Sequence, residues 1–428
     1  MEKDQLGARL RRLRRGRGLT QRQLGAPRYT HAYISTIEAG RRRPSREALE
    51  HFASNLGVDV EELLTGRSPD LEPRLRLSLQ EARIAVSEGR VEEADSQLGQ
   101  IARETRRYKL PRLEAKTEEI RGLWLQRAGR PEDALEHYQR ADELLQDEPP
   151  TARADAVDGK ATCFAALGDV RYAIFLLESL LAEIERAGLN DPDALGRVQA
   201  GLTYWYLDLG LMAKAAESAA ELERLAPRVS DPARLAQMHM NVARQYLSAG
   251  RIEDATASLQ RAEDAYRQLG LLTEMGGAHL ARGFVLSRQE NLEGARRELE
   301  EARTIFERTG NTKDLSRALN ELARVARFEG DTHGARALLE RSIALLGTGD
   351  DPELAYAHLE LGKVLVDLDA ARAEKHLRSA VELYGRTEQP VGIAASYRVL
   401  GDLLRVTGDA AGGCEAYRTG IIAIEPLL

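Results

Sequence analysis

The first 65 residues place apolar side chains at helical spacing, in short stretches separated by turn residues. Between residues 4 and 16, Leu6, Leu10 and Leu13 fall on one helical face and the arginines fall off it. The starts of four further short helices are indicated by residues that favour a helix N-terminus: Thr20, Thr30, Ser45 and Asp59. Two of these starts, Thr20 and Asp59, precede a Gln or Glu by three residues, the spacing of a capping box. The pattern predicts five helices in one small domain.

The second and third of these helices are joined by a tight turn. Pro27 ends the second helix, because it has no N–H to donate and its ring blocks the preceding turn. The third helix is predicted over residues 30–38, with Ile34 and Ile37 on one face. Gly40 can stop this helix, and a run of three arginines follows it.

From residue 74 onward the apolar pattern repeats. Gly66, Ser68, Pro69 and Pro73 interrupt the helical pattern, so we predict a first domain over residues 1–66, a linker over 67–73 and a repeat domain over 74–428. Turn positions recur at intervals of 38 to 42 residues: Gly89, Gly129, Gly168, Gly210, Gly250, Glu290, Gly330, Leu368 and Gly408. This recurrence predicts nine helical hairpins.

Each repeat carries a small residue five positions after the turn and a mostly larger apolar one four positions later. In the second repeat these are Ala134 and Tyr138. A small residue at a fixed point lets two antiparallel helices approach closely, and each hairpin needs its neighbours to bury its apolar stripe. The sequence therefore predicts an all-α protein: a five-helix head followed by about nine hairpins in a right-handed superhelix with a concave inner face.

Composition agrees with this fold and indicates where in the cell the protein is expected. The chain has 428 residues, of which 30% are charged and only 5% aromatic, as in helical proteins rich in Ala, Leu, Arg and Glu. No apolar run is long enough for a membrane span, and the N-terminus lacks the apolar core of a signal peptide. Cys163 and Cys414 have no metal-like spacing, and we expect reduced thiols in the helical core of a cytoplasmic protein without a membrane partner.

Charge is distributed unevenly between the two regions. Residues 1–67 hold 14 Lys and Arg against 8 Asp and Glu, a net charge of +6, whereas the remainder holds 47 against 60, a net charge of −13. A basic head can meet phosphates, while the acidic body should repel DNA. Enzyme classes find no support, because the sequence has no Gly-rich phosphate loop, no metal-ligand spacing and no nucleophile motif, so neither a cofactor nor a metal is expected.

The head resembles the phage-repressor (Xre/Cro-like) helix-turn-helix family. The resemblance rests on Leu19-Thr20-Gln21, Leu24, Tyr33-Ile34-Ser35, Ile37-Glu38, Gly40, Pro44-Ser45, Leu56-Gly57-Val58 and Glu62-Leu63-Leu64. In that family the second helix of the motif enters the DNA major groove. The resemblance implies contacts to base edges or adjacent phosphates from Gln21, His31, Ala32 and Thr36. It implies backbone contacts from Thr30, Tyr33, Arg41, Arg42 and Arg43.

Two further features of the head bear on that resemblance: one agrees with the family and the other departs from it. Arg14 and Glu38 match the internal ion pair of the family, so we assign them to structure. The segment 25–30 is one residue shorter than the usual link and contains Pro27. This departure leaves the angle between the second and third helices open, and with it the individual base contacts. Since Ala32 can offer only a methyl contact, sequence selection could also depend on DNA shape.

The repeats resemble tetratricopeptide repeats. Gly122, Ala134 and Ala141 complete the small-residue pattern of that family in one unit. The spacing here is near 40 residues instead of about 34, and the last unit, which ends in GIIAIEPLL, is degenerate and is interpreted as a cap. The resemblance implies a groove for an extended peptide, with candidate contacts on the inner helices: Arg197, Tyr204, Asn241, Arg244, Tyr246, Arg282, Arg317, Asn320 and Arg324. The alternative is that these side chains are ordinary exposed or internally paired residues.

A head of this kind joined to such repeats resembles the peptide-pheromone-sensing regulators (the Rgg/NprR/PlcR/PrgX type). The resemblance implies a homodimeric, sequence-specific transcriptional regulator of a double-stranded DNA operator. Its repeat domain would bind a peptide or protein signal and mediate dimerisation. Two alternatives remain open: a scaffold that recruits a protein partner and uses the head only as a tether, and a toxin–antitoxin or phage-immunity repressor.

Overall fold

The protein is helical throughout the residues that the computed structural model describes, which are 2–387 and 389–425; 81% is helix and no strand occurs there. Two short 3-10 helices span Pro150–Arg153 and Ala226–Arg228. The α-helices are α1 (Glu2–Gly16), α2 (Gln21–Gly25), α3 (His31–Glu38), α4 (Arg46–Leu56), α5 (Val60–Thr65), α6 (Leu71–Ser87), α7 (Val91–Tyr108), α8 (Pro111–Arg127), α9 (Pro131–Leu144), α10 (Ala154–Ala166), α11 (Val170–Arg186), α12 (Pro192–Asp208), α13 (Met212–Leu225), α14 (Pro232–Ser248), α15 (Ile252–Leu269), α16 (Leu272–Arg288), α17 (Leu292–Thr309), α18 (Thr312–Phe328), α19 (Thr332–Leu346), α20 (Pro352–Leu365), α21 (Ala370–Arg386), α22 (Pro390–Val406) and α23 (Ala410–Ile424).

The chain divides into two compact units. One comprises Met1–Glu81 and Ser96–Thr117, and the other comprises Ala82–Asp95 and Glu118–Leu428. The boundaries predicted from the sequence remain a prediction, and α6 begins inside the stretch predicted as a linker. Among the described helices, none combines the length and apolar character that a membrane crossing requires.

The head contains the five helices that the sequence predicts, and most of the predicted caps form. The Thr20 hydroxyl accepts from the Gln23 amide, and the Gln23 side chain accepts from the Thr20 amide at 2.8 Å, which completes the capping box. Thr30 and Ser45 cap α3 and α4. The predicted capping box at Asp59 is wrong: α5 begins after Asp59, but this carboxylate accepts no capping hydrogen bond. In so short a helix, the exposed backbone N–H groups can bond to water instead.

Nine helical hairpins, α6–α7 through α22–α23, confirm the predicted all-α repeat fold. The small residues after the turns are buried; Ala134 is fully buried, and Tyr138 is 5% exposed. At Gly122, a Cβ would lie 2.8 Å from the Tyr138 ring, so the two helices of this hairpin approach more closely than a larger residue permits. The last three residues of the predicted cap lie outside the described residues. Cys163 is buried as expected, but the expectation for Cys414 is wrong, because Cys414 lies on an exposed face of α23.

The turns confirm the predicted turn positions in all but one repeat. Eight of the nine have a positive φ, including Glu290, whose φ is 62° although it is not glycine. Leu368 is the exception: α20 ends early, at Leu365, and the turn that follows leaves Leu368 61% exposed. The repeat spacing of 38 residues at this point agrees with a turn that is built differently.

The turn of the first hairpin packs against α16 and α17, within the second unit. We call this contact the seam, and it comprises Ser87, Gly89, Thr273, Glu274 and Thr309. The Thr273 hydroxyl donates to the Ser87 carbonyl at 2.6 Å, and the Thr273 amide donates to the Ser87 hydroxyl at 3.1 Å. A Cβ on Gly89 would lie only 2.2 Å from the Thr309 carbonyl oxygen. The backbones in the seam therefore touch directly.

The carboxylate of the seam is largely shielded from solvent, with 16% of the Glu274 side chain exposed. Glu274 accepts from the Ser87 hydroxyl and from Arg127 at 2.7 Å. Burial raises the pKa of the Glu274 carboxyl, but Arg127, Ser87 and Arg83 outweigh burial, so its pKa lies below the usual value. A buried charge that has its partners is favourable, whereas removing one partner leaves a costly unpaired group.

Gly89 and Gly129 form a matched pair that tests the seam. Both occupy equivalent turns, with φ of 74° and 72°, but a Cβ on Gly129 would meet nothing within 4 Å. Replacing either glycine by Ala should lower the free energy of unfolding by about 1 kcal/mol, because the backbone is left-handed. Gly89→Ala should lower it by about 2 kcal/mol more, because the added Cβ overlaps a backbone oxygen.

Thermal unfolding and hydrogen exchange of residues 84–90 and 272–276 measure this difference. The seam should exchange faster in Gly89→Ala and at the native rate in Gly129→Ala. If both variants lost the same stability and exchanged at the same rate, the loss would come from the left-handed backbone of the turn alone, and the contact between Gly89 and Thr309 would contribute nothing.

Candidate nucleic-acid interface and inner groove

Helix α3 turns one face to the core and the other outward. Ile34 is fully buried and Ile37 is 1% exposed, whereas His31, Ala32 and Ser35 are exposed. Thr30 caps the N-terminus of the helix, and its hydroxyl accepts from the Tyr33 amide at 3.4 Å. The exposed face is therefore a short polar surface on a helix whose position is set by the core.

An ion pair beneath α3 fixes its C-terminal end. Arg14 Nε lies 2.6 Å from Glu38 Oε1, and Arg14 Nη2 lies 2.9 Å from Glu38 Oε2, a bidentate arrangement. Arg14 also donates to the Leu19 carbonyl at 2.7 Å. The two side chains are 10% and 4% exposed, so the pair is nearly buried. The structural role predicted for this pair is confirmed.

The same carboxylate receives a third hydrogen bond. Gln21 Nε2 donates to Glu38 Oε2 at 2.9 Å. Burial raises the pKa of the Glu38 carboxyl, but the bonds from Arg14 and Gln21 outweigh it, and the pKa lies below its usual value. Because the pKa is lowered on folding, the pair stabilises the head at neutral pH, and this contribution is lost as the pH falls through the lowered pKa.

Neighbouring helices brace this arrangement. A Cβ on Gly7 would lie 2.4 Å from the Ile37 carbonyl oxygen, so α1 crosses directly over the end of α3. On the other side, Asn55 Nδ2 donates to the Leu24 carbonyl at 2.9 Å, and the His51 ring lies 3.0 Å from the Gly25 carbonyl. These side chains bond to carbonyls at the C-terminal end of the short helix α2 and so tie α4 to it.

The residues predicted to contact DNA fall into two groups: some side chains already have protein partners, and others are exposed. Gln21 is held by Glu38, and the Thr36 hydroxyl donates to the Tyr33 carbonyl at 2.8 Å, so both side chains already have protein partners. His31 and Ala32 remain free on the exposed face. Ser35, four residues after His31, also lies on that face; it was not among the predicted DNA contacts, although helical spacing from His31 leads to it.

Basic residues flank the exposed face of α3. Arg41, Arg42 and Arg43 are exposed beyond its C-terminus, and Arg28, which the sequence analysis did not select, is exposed before its N-terminus. The Arg42 guanidinium lies 4.8 Å from the centre of the Tyr33 ring, which also stacks on Tyr29. Stacking directs Arg42 along the helix surface.

In the second unit, a groove of about 650 Å³ runs along the inner helices of successive hairpins. Its apolar side chains include two methionines, and its charged side chains come from four helices. The groove is lined by Tyr204, Leu207, Asp208, Met212, Met240, Arg244, Leu247, Ser248, Gly277, Leu280, Ala281, Phe284, Asp314, Arg317, Glu321 and Glu353. We call this surface the inner groove.

Aromatic and arginine side chains alternate along this region at intervals of 40 residues: Tyr204, Arg244, Phe284 and Arg324. The Arg244 guanidinium lies 4.4 Å from the centre of the Tyr204 ring. The Arg324 guanidinium lies 5.8 Å from the centre of the Phe284 ring. Phe284 was not among the residues predicted from the sequence, although the repeat spacing that separates Tyr204 from Arg244 leads directly to it.

The structure brings only some of the predicted ligand residues to the inner groove. Tyr204, Arg244 and Arg317 line it, and Arg324 lies beside it, paired with Glu321 at 2.7 Å. Asn241 and Asn320 are buried, and the Asn320 amide donates to the Glu353 carbonyl.

Three further predicted residues also lie outside the groove lining. Arg282 is paired with Glu298 at 2.8 Å, and Arg197 with Asp158 at 3.1 Å. The Tyr246 hydroxyl donates to Glu223 of α13, because Tyr246 lies two residues after Arg244 and therefore on another face of α14.

The inner groove carries more negative than positive charge. Its lining holds four carboxylates (Asp208, Asp314, Glu321 and Glu353) against two guanidinium groups. Arg317 is paired with Asp314 at 3.1 Å and with Glu353 at 3.0 Å. Burial raises the pKa of the Glu321 carboxyl, against the opposing effect of Arg324. A ligand with a cationic group would compensate this charge.

The head matches known sequences. The helix-turn-helix domain family matches residues 5–65. An HTH-type transcriptional regulator of Deinococcus deserti is 44% identical over 59 residues, which is 14% of this chain and 46% of that protein. An uncharacterized HTH-type transcriptional regulator of Sinorhizobium fredii is 41% identical over 61 residues, which is 14% of this chain and 79% of that protein. The chain therefore spans less than half the length of the first of these relatives and most of the second.

The hairpins match known repeats in sequence and fold. The tetratricopeptide repeat family matches residues 274–348. The apo form of the quorum sensor NprR from B. thuringiensis is similar in structure, with a TM-score of 0.54 and 12% sequence identity, over 83% of this chain and 100% of that chain. At that identity the similarity is one of fold.

The ion pair beneath α3 can be tested by Glu38→Gln. This change leaves Arg14 without its charge partner in a nearly buried site and should lower the free energy of unfolding of the head by about 3 kcal/mol. Hydrogen exchange of the α3 amides measures the loss at pH 7. At lower pH the difference from wild type should shrink, because protonation removes the same charge.

Glu50→Gln is the control. Glu50 pairs with Arg46 at 3.2 Å, but the two side chains are 55% and 91% exposed. Its loss should change stability by at most about 0.5 kcal/mol. An equal effect of both variants on α3 exchange would contradict the structural role of Glu38.

Proposed function

The chain belongs to the helix-turn-helix transcriptional regulators, and from that premise we propose that it binds a specific DNA operator under the control of a peptide or protein signal. The observation that carries the proposal is the exposed polar face of α3, held on a braced core with arginines beyond both ends. The curated relatives of this head are described as transcriptional regulators, which supports the proposal.

In this proposal α3 enters the major groove with His31, Ala32 and Ser35 toward the bases. The His31 imidazole and the Ser35 hydroxyl offer hydrogen bonds to base edges, and the Ala32 methyl group offers a contact to thymine. Arg28, Arg41, Arg42 and Arg43 contact phosphates and set the register. Gln21 and Thr36 already have protein partners, which favours a supporting role beside the phosphates.

The ligand of the inner groove is proposed to be a short extended peptide, free or as part of a protein. The alternating aromatic and arginine side chains offer flat surfaces and donors, and the excess of carboxylates favours a peptide with a cationic side chain or a free N-terminus. The solved relative NprR is described as a quorum sensor, which agrees with a signalling ligand. A homodimer in the cytoplasm, on an operator with two-fold symmetry, completes the proposal.

The DNA contacts are tested by fluorescence anisotropy with the duplex upstream of the gene and a scrambled duplex. Wild type should prefer the first duplex, with an affinity that falls steeply with salt. Arg42→Ala should weaken binding to both and reduce the salt slope by about 1, because one phosphate contact is lost. His31→Ala should instead bring the affinities for the two duplexes closer together.

Arg418→Ala is the matched control for Arg42→Ala, since Arg418 is an exposed arginine on α23. It should leave both the affinity and the salt slope unchanged. Equal affinity of wild type for the two duplexes would contradict specific operator binding.

The inner groove is tested by adding a peptide fraction of culture supernatant from the same organism to the DNA-binding assay. The fraction should change the DNA affinity of wild type and have no effect on Arg244→Ala, which removes the side chain stacked on Tyr204. Arg251→Ala removes an arginine that is stacked on Tyr246 at 4.1 Å, outside the inner groove, and should respond as wild type does.

A fraction that leaves the DNA affinity of wild type unchanged, together with a stable protein partner in pull-downs, would favour the scaffold alternative over a ligand-gated regulator.

A further inference from the structure

Two histidines meet between the helices of the α20–α21 hairpin. His358 lies on α20 and His376 on α21, and their Nδ1 atoms are 2.8 Å apart. The ring centres lie 5.1 Å apart, and the ring planes are inclined to each other by 31°. Both residues are partly exposed, so water and small ions can reach the rings. We call these two residues the histidine pair.

The equivalent place in two other hairpins holds a histidine and a carboxylate. In α8–α9, His137 Nδ1 lies 2.6 Å from Glu118 Oε2. In α16–α17, His279 Nδ1 lies 2.8 Å from Glu298 Oε2. The second-helix residue stands eight positions after the turn position in both hairpins, as His376 does in its own. The histidine pair therefore has a second imidazole where the other two hairpins have a carboxylate.

This exchange changes what the facing atoms can bind. A carboxylate accepts the Nδ1–H of an imidazole, whereas two imidazoles can hold only one proton between their facing Nδ1 atoms. One Nδ1 donates and the other accepts, so at least one ring is neutral. A neutral imidazole nitrogen is the commonest metal ligand among protein side chains. If the donating ring moves its proton from Nδ1 to Nε2, two lone pairs face the space between the rings.

The spacing of the two Nδ1 atoms fits neighbouring ligands of one metal ion. With metal–nitrogen bonds of about 2.0–2.1 Å, two nitrogens lie about 2.9 Å apart at a right angle and about 3.3 Å apart at the tetrahedral angle. The observed separation of 2.8 Å is close to the first value. No group of three or more His, Cys, Asp or Glu side chains within the described ranges is arranged to hold a metal, so water completes the coordination.

The surroundings of the pair favour nitrogen-seeking ions over hard cations. Two basic side chains of α21, Arg372 and Lys375, and one carboxylate of α19, Glu340, lie near His376. Glu340 is itself bonded to Arg372 at 3.1 Å. Mg²⁺ needs oxygen ligands, and the nearest carboxylate already has a partner. Imidazole suits Cu²⁺, Ni²⁺ and Zn²⁺.

We propose that the histidine pair binds a divalent transition-metal ion through the Nδ1 atoms of both rings. Cu²⁺ binds more tightly than Zn²⁺, following the general order of affinities for nitrogen ligands, and Mg²⁺ does not bind. The sequence predicted no metal, because the two histidines lie 18 residues apart and share no ligand motif. The site shares no residue with the inner groove or with the proposed DNA contacts, so it is independent of both.

Electron paramagnetic resonance of the full chain with one equivalent of Cu²⁺ tests the ligands. The wild-type spectrum should show hyperfine splitting from two nitrogens. His358→Leu with His376→Leu should lose this splitting and bind Cu²⁺ at least about tenfold more weakly. This double variant should fold, because Leu319 and Leu338 occupy the equivalent place in α18–α19 and pack together there. Thermal unfolding without metal checks that it does.

His137→Leu is the matched control, since it removes a histidine from the equivalent place in α8–α9 and should leave the two-nitrogen splitting and the Cu²⁺ affinity unchanged. Zn²⁺ should raise the unfolding temperature of wild type and of His137→Leu but not of the double variant, and Mg²⁺ should raise none of them. Equal Cu²⁺ affinity of wild type and the folded double variant would overturn the proposal. So would an equal loss of affinity in His137→Leu, because the ion would then bind histidines in general.

Discussion

The repeat region depends on one steric constraint, the close approach of the two helices in each hairpin. Where they cross, the first helix offers a residue with little or no side chain and the second offers a larger apolar one. A Cβ on Gly283 would lie 2.6 Å from Leu299, and one on Gly362 would lie 2.7 Å from Leu377. Because this approach recurs at nearly constant spacing, residues 40 positions apart occupy equivalent places on neighbouring helices. The alternating aromatic and arginine side chains of the inner groove follow from that regularity.

In the head, the crossing of α1 and α3 is fixed by charge as well as by shape. Gly7 permits a close crossing of α1 over the end of α3, and the Arg14–Glu38 pair then fixes the orientation of that end. A helix of eight residues has little stability of its own. Its rigidity therefore comes from the buried side, which leaves the exposed side free of structural duties. The functional surface is small because most of α3 serves its own support.

Much of this organisation could be predicted from the sequence, because it is local or periodic. Caps and turn positions depend on residues close together in the sequence, and the count of hairpins follows from the repetition. The family resemblance identified the Arg14–Glu38 pair. Ligand residues were harder to predict. Arg244 and Tyr246 differ by two positions and therefore lie on different faces of α14, but only the packing of α14 against its neighbours shows which of these faces lines the inner groove. The seam could not be predicted, since it joins Ser87 to Thr273, which share no motif and lie 186 residues apart.

That separation has a consequence for the order in which the molecule is made. The first hairpin leaves the ribosome long before Thr309 has been translated, so Gly89 has no surface to meet while the intervening hairpins emerge. Local pairs can form as they appear, but the seam closes only after more than half of the chain exists. A nascent chain interrupted before Thr309 would keep its first turn uncovered. Completion of the seam thus marks the point at which the first six hairpins, through α16–α17, have all been made.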